Sequence, residues 1–157
     1  MCLIAVKKAG AQIPYELVEN AFLANPDGAG LAWREDGKVK YRKGFMDEDD
    51  LSIYILENYE TLVKSDVVFH FRLATAGKVV PEMTHPFPIS QDLLSLEGED
   101  GIGVVFHNGH IQKLCGGRKL SDTAKMVKMY IAPLGKLIWE HSVQALLEVA
   151  FPEQKIV

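Results

Sequence analysis

The strongest constraint on how this chain can fold lies between residues 30 and 43. Two β-compatible runs, residues 30–34 and 38–43, flank Glu35-Asp36-Gly37. An Asp-Gly pair at that spacing closes a tight hairpin, because glycine accepts the positive φ that such a turn demands. A second Asn-Gly pair, Asn108-Gly109, stands between the apolar run 102–106 and residues 110–114. Hairpins commit a sheet to antiparallel pairing, whereas a doubly wound parallel sheet needs a long crossover after every strand. Helical spacing intervenes elsewhere. Pro14 opens a stretch with Leu17, Val18, Ala21 and Phe22 on one face, stopped by Asn25-Pro26. Acidic residues 47–50 lead into an expected helix reaching Leu62, and Ser121 caps one expected over residues 122–131. A last helix is expected over 137–150. Residues 66–73 read as a central strand, while Pro81, Pro86 and Pro88 make 76–100 mostly loop. The pattern predicts an α+β fold with mixed or antiparallel sheet covered by helices.

With 157 residues, 48% of them hydrophobic, the chain can bury one sizeable core, so residues 1–157 are expected to form a single domain. Seventeen basic against 21 acidic side chains give a formal charge of −4, with no Lys/Arg-rich block. That offers no footprint for nucleic acid or an anionic membrane. No apolar run reaches membrane-spanning length, and Lys7-Lys8 follows the first apolar run where a secretory signal would place its charges before it. A cytoplasmic protein is expected. Two cysteines are too few for a disulfide framework, and Cys115 reads as a small buried hydrophobe.

Cys2 differs because it directly follows the initiator methionine. Removal of Met1 would put a thiol and a free α-amine on one residue. An α-amine titrates near ~8, so it can act as a base at neutral pH and activate its neighbouring nucleophile. Five more segments accompany it: residues 25–30 (Asn-Pro-Asp-Gly-Ala-Gly), 70–77 (His-Phe-Arg-Leu-Ala-Thr-Ala-Gly), 84–87 (Thr-His-Pro-Phe), 106–109 (Phe-His-Asn-Gly) and 121–123 (Ser-Asp-Thr). In order and approximate spacing the set resembles the class II glutamine amidotransferase domain, the N-terminal-nucleophile hydrolase module of glucosamine-6-phosphate synthase and the amidophosphoribosyltransferase. Residues 25–28 and 84–87 look most like its stand-alone branch. Leu3 stands where the family usually has glycine, and Ala76 where some members carry histidine.

The resemblance implies a four-layer αββα sandwich, with its distal sheet or helical layer reduced in so short a chain. It implies that Cys2 attacks the side-chain amide of glutamine or a γ-glutamyl compound, releasing ammonia or an amine and then glutamate through a thioester. Asn108 and Gly109 correspond to the oxyanion hole, where each hydrogen-bond donor contributes a few kcal/mol; their other reading is a plain hairpin turn. Arg72 would grip the α-carboxylate with two parallel hydrogen bonds, its alternative being a surface ion pair. Asp122 would hold the α-ammonium, or else simply complement a helix N-terminus. Thr75 would help seat the substrate. Asp27 and Gly28 would pack near the nucleophile. No cofactor is expected, and His85, His107, His110 and Cys115 lack the spacing of a metal site. A separate acceptor or synthase subunit is a conceivable partner, because no acceptor domain follows in this polypeptide. Two other readings stand beside the first: a non-catalytic binding module that keeps the fold, and an amide hydrolase with a different substrate.

Overall fold

A computed structural model of the chain describes residues 2–75, 77–116 and 119–157. Its first half alternates strands and helices where the hydrophobic spacing predicts them: β1 (Leu3–Lys7), α1 (Tyr15–Ala24), β2 (Ala29–Glu35), β3 (Lys38–Phe45), α2 (Glu48–Glu57), α3 (Tyr59–Lys64) and β4 (Val67–Phe71). The β2–β3 hairpin closes through Asp36 and Gly37, both with positive φ (49° and 77°). With β6 (Glu97–Asp100) these strands form a five-stranded antiparallel sheet in the order β1-β4-β2-β3-β6.

Alternation sorts the sheet's side chains onto two faces. Leu31 and Trp33 lie opposite Phe69 and Val67. These four pack with Val18, Ala21 and Phe22 of α1, Leu51 and Ile55 of α2, and Leu62 of α3. The other face carries Ala32, Tyr41, Ile4 and Val68, and it meets Val104 and Phe106. Val105, one residue along, joins a further core with Met83, Phe87, Ile111, Met126, Ile131 and Phe151. Successive residues of 104–106 therefore face two different cores. The packing order is helices, five-stranded sheet, short strands, then helices. The short strands are β5 (Phe87–Pro88) paired with β7 (Val104–Val105), and β8 (His107–Asn108) paired with β9 (Lys155–Ile156). The outer helices are α4 (Asp122–Met126) and α5 (His141–Ala150). The fold is thus α+β with antiparallel sheets. Among the described residues no helix is long and apolar enough to cross a membrane.

The structure corrects several boundaries. The helix expected from residue 47 to 62 breaks at Asn58, whose side-chain amide donates to the Tyr54 carbonyl and competes with the helical ladder. The helix expected over 137–150 starts only at His141, because Gly135 is left-handed (φ 53°) and Glu140 extended. Beyond Met126 the helix over 122–131 widens into a π turn (Val127–Ile131). Residues 110–114 form no hairpin arm: the Asp122 carboxylate takes the Ile111 N–H, a 3-10 turn follows at Gln112–Leu114, and Asn108 pairs with Lys155 instead. The loop over 76–100 contains a strand, β6, that its sequence does not announce.

Candidate active site

The site lies where the C-terminal end of β4 meets β1, β8 and the start of α4. Residues 25–28 organise this junction. The Asp27 N–H donates to the Arg72 carbonyl (3.0 Å), the Arg72 N–H to the Gly28 carbonyl (2.8 Å), and the Ala74 N–H to Asp27 Oδ2 (2.7 Å). Gly28 has φ 107°, and a Cβ there would lie 2.6 Å from Thr84 Cγ2. At Gly30 a Cβ would lie 2.0 Å from the His85 carbonyl oxygen. The two glycines thus let the 84–87 loop press directly on β2, which accounts for one sequence motif by its contact with another.

Cys2 immediately precedes β1 and is half-buried. Its Sγ lies 3.5 Å from the Leu73 backbone nitrogen, which donates to it, and 3.6 Å from the Leu73 carbonyl. The Asn108 side-chain amide donates to the Cys2 carbonyl at 2.6 Å, tying β8 to the residue that carries the thiol. An amide NH₂ has two donors, so one remains for an oxygen placed beside Cys2. The neighbouring Gly109 is close-packed: a Cβ would meet Gln154 Oε1 at 2.2 Å and His107 Nε2 at 2.7 Å. Glycine is therefore required here by space rather than by a hairpin.

Cys2, Arg72, Thr75, Gly109 and Asp122 line one cavity, together with His85, His107, Ser121 and Thr123. The cavity is tight, about 20 Å³, close to the space of one water. A larger cleft of about 330 Å³, between Val104–Val105 and α5, is lined mainly by apolar side chains such as Ile89, Trp139, Leu147 and Val157, and neither thiol lines it. Arg72 is buried, at 3% exposure, and donates to the Lys78 carbonyl at 2.9 Å. Burial draws its guanidinium below the ordinary arginine value, while Cys2, Asp27 and Asp122 hold it up. Asp122 is also buried; its two oxygens accept the Ile111 and Thr123 N–H groups, and Ser121 caps α4 through the Ala124 N–H. Thr75 sits exposed at the rim. Ala76 and Met1 lie outside the described residues.

No family model and no curated protein matches this chain.

The sequence assigned no part in the chemistry to the histidines beneath the cavity. His70 and His85 stack with ring centroids 4.0 Å apart, and His70 Nε2 meets the His107 carbonyl at 3.1 Å. Desolvation lowers His70 to about 3 and drives His85 well below the ordinary imidazole value, so both rings are neutral. His107 is held from both sides, Nε2 by Gln154 Oε1 (2.9 Å) and Nδ1 by Thr123 Oγ1 (2.7 Å). Because Gln154 Oε1 is an acceptor, the His107 proton sits on Nε2, and the Thr123 hydroxyl donates to Nδ1. Desolvation lowers His107 too, against the pull of Gln154. Gln154 went unnoticed because its role depends on a pairing of chain segments 47 residues apart. The available signal for the three histidines was their place inside residues 70–77, 84–87 and 106–109, three of the five segments that accompany Cys2.

Proposed function

We propose that this chain is an amide hydrolase of the N-terminal-nucleophile type, similar to the class II glutamine amidotransferase domain, acting on glutamine or a γ-glutamyl compound in the cytoplasm. The observation that carries the reading is the convergence of Cys2, Arg72, Thr75, Gly109 and Asp122, drawn from four separate segments, on one cavity. A thiol, a buried cation, a buried carboxylate and a glycine backbone N–H are what a zwitterionic amino-acid amide requires. The sequence of layers, with short strands between the main sheet and the outer helices, supports a reduced αββα sandwich.

With Met1 removed, the α-amine takes the thiol proton and Sγ attacks the Cδ carbonyl. The C–S bond forms as the C=O π pair moves to oxygen, where the Asn108 amide and the Gly109 N–H receive the charge. Collapse expels ammonia or an amine, which leaves with the proton held by the α-amine. Water then hydrolyses the thioester, restoring the thiol and releasing glutamate. Arg72 opposite the α-carboxylate and Asp122 opposite the α-ammonium hold the substrate in register, an arrangement whose worth lies in orientation as much as affinity. The neutral histidine layer beneath adds no competing positive charge.

The test is a Cys2→Ala variant, which should fold and lose glutamate and ammonia release entirely; retained turnover would sink the reading. Intact mass after exposure to a diazo-ketone glutamine analogue should show one adduct, at Cys2, on a chain lacking Met1. One rival is a binding module with the same fold and no turnover. That rival predicts glutamine binding without Cys2 alkylation.

A further inference from the structure

Three potential ligands meet at Asp122, which also lines the cavity of the proposed nucleophile. His110 and Cys115 flank the 3-10 turn Gln112–Leu114, and Asp122 opens α4. One ligand atom from each lies within 4.8 Å of the other two. Cys115 Sγ is 3.4 Å from His110 Nε2. Two such ligands held by one zinc at about 2.3 and 2.1 Å in tetrahedral geometry stand about 3.6 Å apart. Their sequence spacing, four residues and then six, matches no common metal motif, and the cluster exists because the Asp122 carboxylate fastens the Ile111 N–H and draws the turn against α4.

We propose that His110, Cys115 and Asp122 form a binding site for a thiophilic divalent cation of the zinc type, with its fourth position open to water.

The donor set suits that ion: one imidazole, one thiolate and one carboxylate is a borderline-soft mixture favouring Zn²⁺ over the oxygen-preferring Mg²⁺ and Ca²⁺. The charges suit it as well. A thiolate and a carboxylate balance Zn²⁺ in a half-buried setting, where an uncompensated charge would be costly. On binding, the thiol that now donates to the Ile111 carbonyl at 3.3 Å gives its proton to buffer, and an S–Zn bond replaces S–H. Each Asp122 oxygen already accepts one backbone N–H and retains a lone pair for a metal, so those two bonds become the orienting shell that fixes the carboxylate. The Lys125 ammonium is held by the carbonyls of Leu114 and Gly116, on either side of Cys115, and its charge favours the thiolate. The ligand-to-ligand distances, up to 4.8 Å, close to about 3.6 Å by movement of the exposed His110 and half-buried Cys115 side chains toward Asp122.

The full chain, stripped with a chelator and titrated with Co²⁺ and then Zn²⁺, provides the test. Co²⁺ should give a thiolate-to-metal charge-transfer band at one equivalent per chain, bleached by Zn²⁺. His110→Ala and Cys115→Ser should each weaken binding at least about tenfold, as loss of a ligand requires. His110 is exposed, so its variant tests the site with little risk to folding. The Cys2→Ala variant should bind the metal unchanged. Absence of the band, binding unaffected in the His110 and Cys115 variants, or binding lost with Cys2 would each overturn the proposal. One consequence rests on the proposed function: Asp122 would serve both cation and substrate ammonium, so Zn²⁺ should compete with glutamine and do so only when His110 and Cys115 are intact. A chain that binds Zn²⁺ but hydrolyses no amide would refute the enzymatic reading and leave the metal site standing.

Discussion

The two halves of this protein build their cores by opposite means. Residues 3–71 form long strands and regular helices, with β2 and β3 joined by one hairpin and β4 pairing along its length with both β1 and β2. Residues 81–157 build theirs from two-residue strands, 3-10 turns, a π turn and the helices α4 and α5, with residues 155–157 paired to 106–108. The first half is a scaffold held by repeated local rules; the second is held by single, specific contacts. The proposed nucleophile sits on the seam, with Cys2 attached to the scaffold and its amide partner Asn108 supplied by the other half. Three features of the first half reach into the second: the bare backbone of Gly30 under the His85 carbonyl, the Gly44 N–H on Thr84 Oγ1, and Lys43. The Lys43 ammonium enters a fully buried site, donates to the carbonyls of Glu82 and Leu93, and lies 4.3 Å from the Phe87 ring centroid.

The contrast can be broken by mutation. Leu31→Ala removes a fully buried side chain from the scaffold core, and global stability should fall by about 4 kcal/mol in denaturant unfolding. An effect confined to residues 81–157 would show that the scaffold is not the common support. Gly30→Ala strikes the seam, where the backbone has no room to yield, and should cost about 3 kcal/mol. Gly101→Ala, with open space around its Cα, serves as the neutral control.

Lys43 sharpens the comparison through pH. Burial lowers its pKa to about 7, against the partial support of Asp92 and Glu82. Between pH 7 and about 10 the unfolded chain therefore holds a proton that the folded chain has released. Stability should rise with pH across that window, by at most about 1.4 kcal/mol per unit. Chemical denaturation at stepped pH should show the slope in the native chain and a flatter one in Lys43→Met. An unchanged slope would mean that burial does not lower the Lys43 pKa and that the amine stays charged across this window. The smallest effect belongs to Gln154→Ala, which frees one side of His107 and should cost about 1 kcal/mol. Hydrogen exchange should place the loss at residues 106–108 and leave β2 and β4 protected; loss spread over both halves would erase the distinction.

Legibility in the sequence followed the same division. The hairpin, α1 and β4 could be read because turn chemistry, a proline start and apolar periodicity act within a few residues. The strand β6 could not. Glu97-Gly-Glu-Asp shows no alternation, and it pairs because Gly98 lets the backbone pass the Tyr41 ring. Asp100 reads as a surface acid but is buried at 1% exposure, its carboxylate taking N–H groups from Ser90, Ile102 and Gly103 and the Ser90 hydroxyl. Of the candidate site residues, Cys2, Arg72 and Asp122 could be named only because the ordered segments that carry them resemble one family's motifs; each residue by itself reads as readily as ordinary packing or surface charge. The steric need at Gly109, the Gln154 contact and the approach of Asp122 to His110 and Cys115 arise only from segments brought together by folding.

The pairing of β8 with β9 has a consequence for the cavity around Cys2. Asn108, which grips Cys2, is itself aligned by Lys155, and the His107 wall by Gln154. Residues 154–157 thus brace the walls around Cys2 at one remove, without lining the cavity themselves.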